Sequence, residues 1–243
     1  MENRNVVIAG PAESVNPIDR DAGPTLVFAI EKLLLDLILT GGAPAGRKLN
    51  ENELARKWGV SRTALREAVR RLEQAGLVTI IQNRGVFVRR IGLGEALGLF
   101  DVHAGLARTA GRLLCNHITA SQLTELETLH LEMVAAKDNF ESDKYYLINA
   151  QFHDMLMKYT RNIRLIAFHE MISNGLQTFR LHNLQSGGQI EASVREHGKI
   201  IDALKERNPE KAAQAFEQHV LAGKQRMLDA IPADSLTVDT EGN

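Results

Sequence analysis

The sequence predicts a mainly α-helical protein in two parts: an N-terminal winged helix-turn-helix of three helices and a β-hairpin, then an antiparallel all-α bundle of about six helices. Three observations carry this. Two short helical stretches flank a glycine turn in ENELARKWGVSRTALREAVRRLEQAGL (51–77), and two β-branched runs follow. From residue 94 on, strand signals vanish and apolar residues recur at helical spacing in six blocks. Charge divides the same way: residues 47–90 hold 11 Lys/Arg against 4 Asp/Glu, whereas residues 91–243 hold 15 against 20. A basic module is joined to an acidic one, although the whole chain carries a formal charge of only −1.

The first helix spans TLVFAIEKLLLDLILT (25–40), with Leu26, Ile30, Leu33, Leu34, Leu37 and Ile38 at helical spacing and Gly41-Gly42 ending it. GGAPAGRKL reads as a loop. Asn50 caps the second helix, with Glu53 placed to reach back to it, and Leu54 and Trp58 share its inner face. Gly59-Val60 turns the chain. Ser61 caps the third helix, whose Leu65, Val69, Leu72 and Ala75 point inward, and Gly76 closes it. LVTII and GVFVRR then form a hairpin with Arg84-Gly85 at its tip. In a helix-turn-helix the N-terminal residues of the second helix enter the major groove of DNA. Here those are Arg62, Thr63 and Arg66, with the two arginines one turn apart and opposite the leucine stripe. Arginine suits a bidentate grip on guanine or a fork on a phosphate.

The six later blocks lie near 94–117, 120–137, 141–160, 163–185, 188–207 and 209–231, bounded by Thr119, the DNFESD loop, the SGG at 186–188 and Asn208-Pro209. Domain limits follow: an arm at 1–24, the winged helix at 25–90, a linker at 91–95, the helical domain at 96–231 and a tail at 232–243. No apolar run approaches the roughly 20 residues of a membrane span; the longest, LLLDLILT (33–40), is broken by Asp36. The N-terminus lacks the pattern of a signal peptide. With one cysteine, Cys115, no internal disulfide framework is available. These features point to a cytoplasmic protein with no membrane partner.

The bundle's chemistry lies in its histidines. His117, His130 and His182 read as surface or helix-end residues. His169-Glu170 opens a zinc-protease pattern, but the position of its second histidine is Ser173. His153, His197 and His219 each border the apolar stripe of a different helix, and Asn149 lies one turn before His153. Helices that bring interior imidazoles to one point build sites for zinc, nickel or a similar divalent ion. Periodicity alone leaves a second reading equally open, in which these are buried histidines with satisfied hydrogen bonds.

Residues 49–88 resemble the DNA-binding domain of the GntR superfamily of bacterial transcription regulators, through SRTALREAVRRLEQAGL and the RGVFV wing. The resemblance implies that Ser61, Arg62, Thr63 and Arg66 contact DNA, with Asn83, Arg84 and Gly85 at the wing. Asn52 stands where many members carry a DNA-contacting arginine. Residues 100–230 resemble the FCD effector-binding and dimerisation domain of the FadR subfamily. Its metal-binding members carry a carboxylate-x-x-x-His pair followed by two histidines, and Asn149, His153, His197 and His219 fall on those positions. Asn149 replaces an aspartate, which leaves the site its full positive charge. His103 aligns with an arginine that often grips the ligand's carboxylate, and Arg180 is a further cation able to face the interior. The resemblance thus implies a homodimeric repressor that reads a near-palindromic operator and responds to a small anionic effector at a metal site. Two alternatives remain: the same regulator with structural histidines and no metal, or a metal-dependent hydrolase or lyase. Against the enzyme, Asp154 and Glu196 neighbour two of the histidines in sequence and so point about 100° away around their helices.

Overall fold

A computed structural model describes residues 24–183 and 190–231. The main division between two compact units falls between Ile91 and Gly92. The first unit contains α1 (Pro24–Leu39), β1 (Lys48–Leu49), α2 (Glu51–Trp58), α3 (Arg62–Gln74), β2 (Val78–Ile81) and β3 (Gly85–Val88). Ile30, Leu34 and Ile38, each one turn from the next, are fully buried on α1. They share a core with Leu65, Ala68, Val69 and Leu72 of α3 and with Val78, Val86 and Val88 of the sheet. Burying a side chain of this kind stabilises by about 1.5–3 kcal/mol.

The caps explain where the short helices begin and end. The Asn50 side chain accepts the Glu53 N–H, and Glu53 reaches back to the Asn50 side-chain amide. Ser61 accepts the Ala64 N–H at 3.1 Å. Gly59 and Gly76 both take positive φ, 65° and 73°, a conformation that favours glycine after a helix. The sheet has three strands in the order β1-β3-β2, all antiparallel, so the hairpin expected from the sequence is only two-thirds of it. β1 escapes a reading by alternation because it has two residues inside a glycine- and proline-rich loop. It is recruited by β3, with Val88 donating to the Arg47 carbonyl and Gly46 to the Val88 carbonyl.

The second unit is helical: α4 (Leu93–His117), α5 (Ala120–Asp138), α6 (Ser142–Tyr159), α7 (Ile163–Asn183, of which Gln177–His182 group with the first unit), α8 (Ile190–Lys205) and α9 (Pro209–Ala230). Residues 93–95, expected in a linker, form the first turn of α4 after Gly92. The expected arm lies outside the described residues apart from Pro24, as do the SGG and the tail. Thr119 and Gln122 form a reciprocal capping box on α5. Asn208 accepts the Glu210 and Lys211 N–H groups at the start of α9, where Pro209 cannot donate one. The Arg207 guanidinium donates to the Ile118 carbonyl at 2.6 Å and so satisfies the end of α4.

α4 and α9 approach closely because α4 presents Ala104, Ala107, Ala110 and Gly111 toward Ala212, Ala213 and Phe216. A Cβ at Gly111 would lie 2.6 Å from the Ala212 carbonyl oxygen, with no flexible atom to yield. Arg108 and Arg112 flank this contact, pairing with Glu217 and Glu210. Gly105, six residues earlier, has open space where its Cβ would be. Gly111→Ala is therefore expected to destabilise the protein by about 1–3 kcal/mol through overpacking. Gly105→Ala should stabilise it by about 0.5–1 kcal/mol through backbone entropy. Thermal melting of the two variants must move in opposite directions.

Candidate nucleic-acid interface and candidate metal centre

The geometry of α3 follows from its two faces. Leu65, Ala68, Val69 and Leu72 are buried, so Arg62, Thr63 and Arg66 are turned outward and exposed. Ser61 sits at the cap with its hydroxyl oxygen holding one of the free N–H groups, while the helix dipole adds positive potential there. Arg66 lies 3.6 Å from Glu51, but its side chain is 70 % exposed, and an ion pair so wet is worth little. Asn52 is exposed on the first turn of α2. At the wing, Asn83 (φ 60°) and Arg84 are exposed between β2 and β3. Gly85 (φ 107°) is half-buried and begins β3. Its lack of a side chain has a second consequence: a Cβ there would fall 2.7 Å from Lys48 Cε. Lys48, on β1, is thereby laid across the base of the wing tip, a cation that a loop reading of residues 41–49 missed. All these groups except Gly85 are exposed, and they form a surface suited to a polyanion.

In the helical unit, α6 carries Asn149 and His153 one turn apart, α8 carries His197 and α9 carries His219. One nitrogen from each imidazole lies within 4.8 Å of the others. Ring centroids are 5.1 Å apart for His153–His197 and His153–His219, and 4.7 Å for His197–His219. Phe152 packs against the rings of His153 and His197. His197 is fully buried, yet neither of its ring nitrogens has a hydrogen-bond partner, and the Asn149 Oδ1 is equally unpartnered. Burial, reinforced by the neighbouring imidazoles, holds His153 and His197 well below the usual histidine pKa. Imidazole nitrogens converging from three helices, with His153 and His197 held neutral by burial, are a donor set that fits a borderline divalent ion such as zinc.

Other groups around the cluster were read differently from the sequence. Glu196, read as turned away from the histidines, has a carboxylate that accepts from His219 Nδ1 at 2.8 Å and is gripped by both terminal nitrogens of Arg226 at 2.5 and 3.0 Å. Burial alone would raise its pKa; the hydrogen bonds from His219 and Arg226 outweigh that and leave it lowered. His169, read from the sequence only as part of a protease pattern that fails at Ser173, has a place of its own. It is buried, and its Nδ1 lies 3.0 Å from His103 Nε2, with Ser173 on its other nitrogen. Burial lowers its pKa to about 4. The stripe Leu165, His169, Ile172, Leu176 would have placed it inside had the spacing been followed through. His130 is also half-buried rather than on the surface, and burial lowers its pKa. His117 is exposed, as expected. His103 thus joins a second histidine pair beside His153, on which both members act electrostatically. The side chains of Arg180 and His182 lie outside the described residues.

Comparison with known proteins agrees with this architecture. The FCD domain family matches residues 98–222, and the family of bacterial regulatory proteins of gntR type matches residues 27–88. The HTH-type transcriptional regulator YdhC of Bacillus subtilis is 29 % identical over 190 residues, covering 78 % of this chain and 83 % of the relative. The HTH-type transcriptional repressor RspR of Escherichia coli is 25 % identical, covering 72 % and 77 %. Among solved structures, E. coli McbR/YncC superposes with a TM-score of 0.71 at 17 % identity, over 84 % of this chain and 97 % of that one, which speaks for the fold. These families and relatives are transcriptional regulators rather than enzymes, which answers the hydrolase or lyase alternative. The chain belongs to the FCD-domain transcriptional regulators whose DNA-binding domain is of the GntR family.

Proposed function

We propose that this regulator is a cytoplasmic, homodimeric repressor of a near-palindromic double-stranded operator, controlled by a small anionic effector at a divalent metal, zinc or nickel. In this reading Arg62, Thr63 and Arg66 read the major groove. Ser61, Asn52 and the wing residues Asn83, Arg84 and Gly85 hold the backbone or the adjacent groove, and two copies of α3 meet two half-sites. Asn149, His153, His197 and His219 hold the ion. The name of the repressor RspR supports the sign of regulation.

The observation that carries the metal reading is the fully buried His197 with two unpartnered nitrogens beside two further imidazoles. A divalent ion bound there supplies open coordination positions to an anion. The chain's own contribution is charge: three neutral imidazoles and one amide leave that positive charge uncompensated. An organic acid or phosphorus oxyanion is attracted accordingly, with His103 and Arg180 as further contacts. Regulation then requires the effector to bind the DNA-competent and incompetent states with different affinity.

Mobility shifts on the DNA beside the protein's own gene should show salt-sensitive, sequence-selective binding. Arg66→Ala should weaken it by about 1–3 kcal/mol. Unchanged binding would falsify the assigned face. Metal analysis of purified protein should find a bound transition ion that is lost in both His153→Ala and His219→Ala. Retention of the ion in both variants, or its absence from the wild type, removes the metal and leaves the histidines structural.

A pH dependence follows from the burial of His169, whose folded pKa of about 4 lies below the value of about 6.5 expected for an unfolded chain. Above 6.5 neither state is protonated and stability is full. As pH falls below 6.5 the unfolded chain gains a proton that the folded one does not, so stability drops. The melting temperature of metal-free protein should fall between pH 6.5 and 4.5, and more gently in His169→Gln.

A further inference from the structure

We infer that Glu196 and Arg226 are positioning residues that hold His219 in a single tautomer, protonated on Nδ1, so that its unprotonated Nε2 is presented to His153 and His197. This rests on the metal reading for its purpose but not for its geometry. His219 Nδ1 is 2.8 Å from Glu196 Oε2. A carboxylate can only accept, so Nδ1 must carry the proton. A neutral imidazole has one N–H, and Nε2 is then left with its lone pair.

Arg226 fixes the carboxylate in turn. Its Nη1 and Nη2 donate to Glu196 Oε1 and Oε2 at 2.5 and 3.0 Å, a forked pair that leaves the carboxylate one orientation. The three side chains are 12 %, 18 % and 19 % exposed, so water competes little for these bonds. Their sequence positions make the chain coherent. Glu196 adjoins His197 on α8, and Arg226 is seven residues beyond His219 on α9, two turns along nearly the same face. One carboxylate from α8 therefore bridges two α9 side chains, and it locks the imidazole of one helix relative to the ligand on the other. Carboxylates behind metal-binding histidines commonly fix tautomer and ring orientation, and their loss costs 10–100-fold in metal affinity.

Glu196→Gln discriminates this role from simple packing. Arg226 takes the amide oxygen of the new side chain, which turns its NH₂ toward His219. Nδ1 must then accept, and the proton moves to Nε2, where it faces the cluster. Nitrogen-15 correlation spectra of histidine-labelled, metal-free full-length protein should show His219 as the Nδ1–H tautomer in the wild type and as the Nε2–H tautomer in Glu196→Gln. Zinc titration against a competing chelator should give a dissociation constant 10–100-fold weaker in that variant. Arg226→Lys, which keeps a donor to the carboxylate, should retain the wild-type tautomer. An Nε2–H tautomer in the wild type overturns the inference even if no variant folds, as does a Glu196→Gln protein with unaltered tautomer. Wild-type protein that shows the expected tautomer but binds no zinc leaves this positioning intact and removes the metal reading instead.

Discussion

An imidazole sealed from water with neither nitrogen hydrogen-bonded is the constraint around which the helical unit is organised. An unsatisfied buried polar group costs about 1–3 kcal/mol, and His197 presents two, with Asn149 Oδ1 adding a third. The surrounding core must offset that cost. Phe152 is fully buried against the ring of His197, and Ile200, Ile201 and Leu204 bury the rest of the inner face of α8. Keeping His153 and His197 neutral is part of the same arrangement, since charges this close in a dry interior would repel strongly. Nitrogens left without a protein partner in a dry interior are what the proposed metal site would use.

The first unit solves the opposite problem. There the polar groups must stay wet, and the leucine and valine stripe of α3 achieves this by fixing which way the helix faces. Once Leu65, Val69 and Leu72 are buried, no rotation of α3 can hide Arg62 or Arg66. The positive φ angles at Gly59 and Gly76 set where the helices stop, and Gly85 lets the lysine of a neighbouring strand cross the wing. Local backbone requirements and long-range charge placement are therefore met by the same few residues.

How much of this was legible depends on the range of the interaction that fixes each feature. Caps, helix ends and the α3 faces are local, and Ser61, Thr119 and Asn208 announce them within three residues of sequence. The three histidines could be assigned to an interior by period alone, because each borders an apolar stripe. β1 could not, since its two residues become a strand only through β3. Glu196 was read as pointing away from the centre. What sequence spacing cannot tell is that a neighbouring helix brings His219 and Arg226 to meet it. His130 failed for a different reason: a polar residue on a stripe was weighed by its polarity rather than by the stripe.

The proposed control by an effector places a demand on this arrangement that binding strength alone does not meet. A ligand at 100 times its dissociation constant stabilises the state it binds by about 2.7 kcal/mol, yet it shifts nothing if both states bind it equally. The imidazoles come from α6, α8 and α9, so their mutual distances report the registry of those three helices. A movement of one helix by an ångström or two changes the donor set, whereas the His103–His169 contact between α4 and α7 reports a different pair. In the proposed reading, an ion at the cluster would weight the population toward arrangements in which α6, α8 and α9 keep their present spacing.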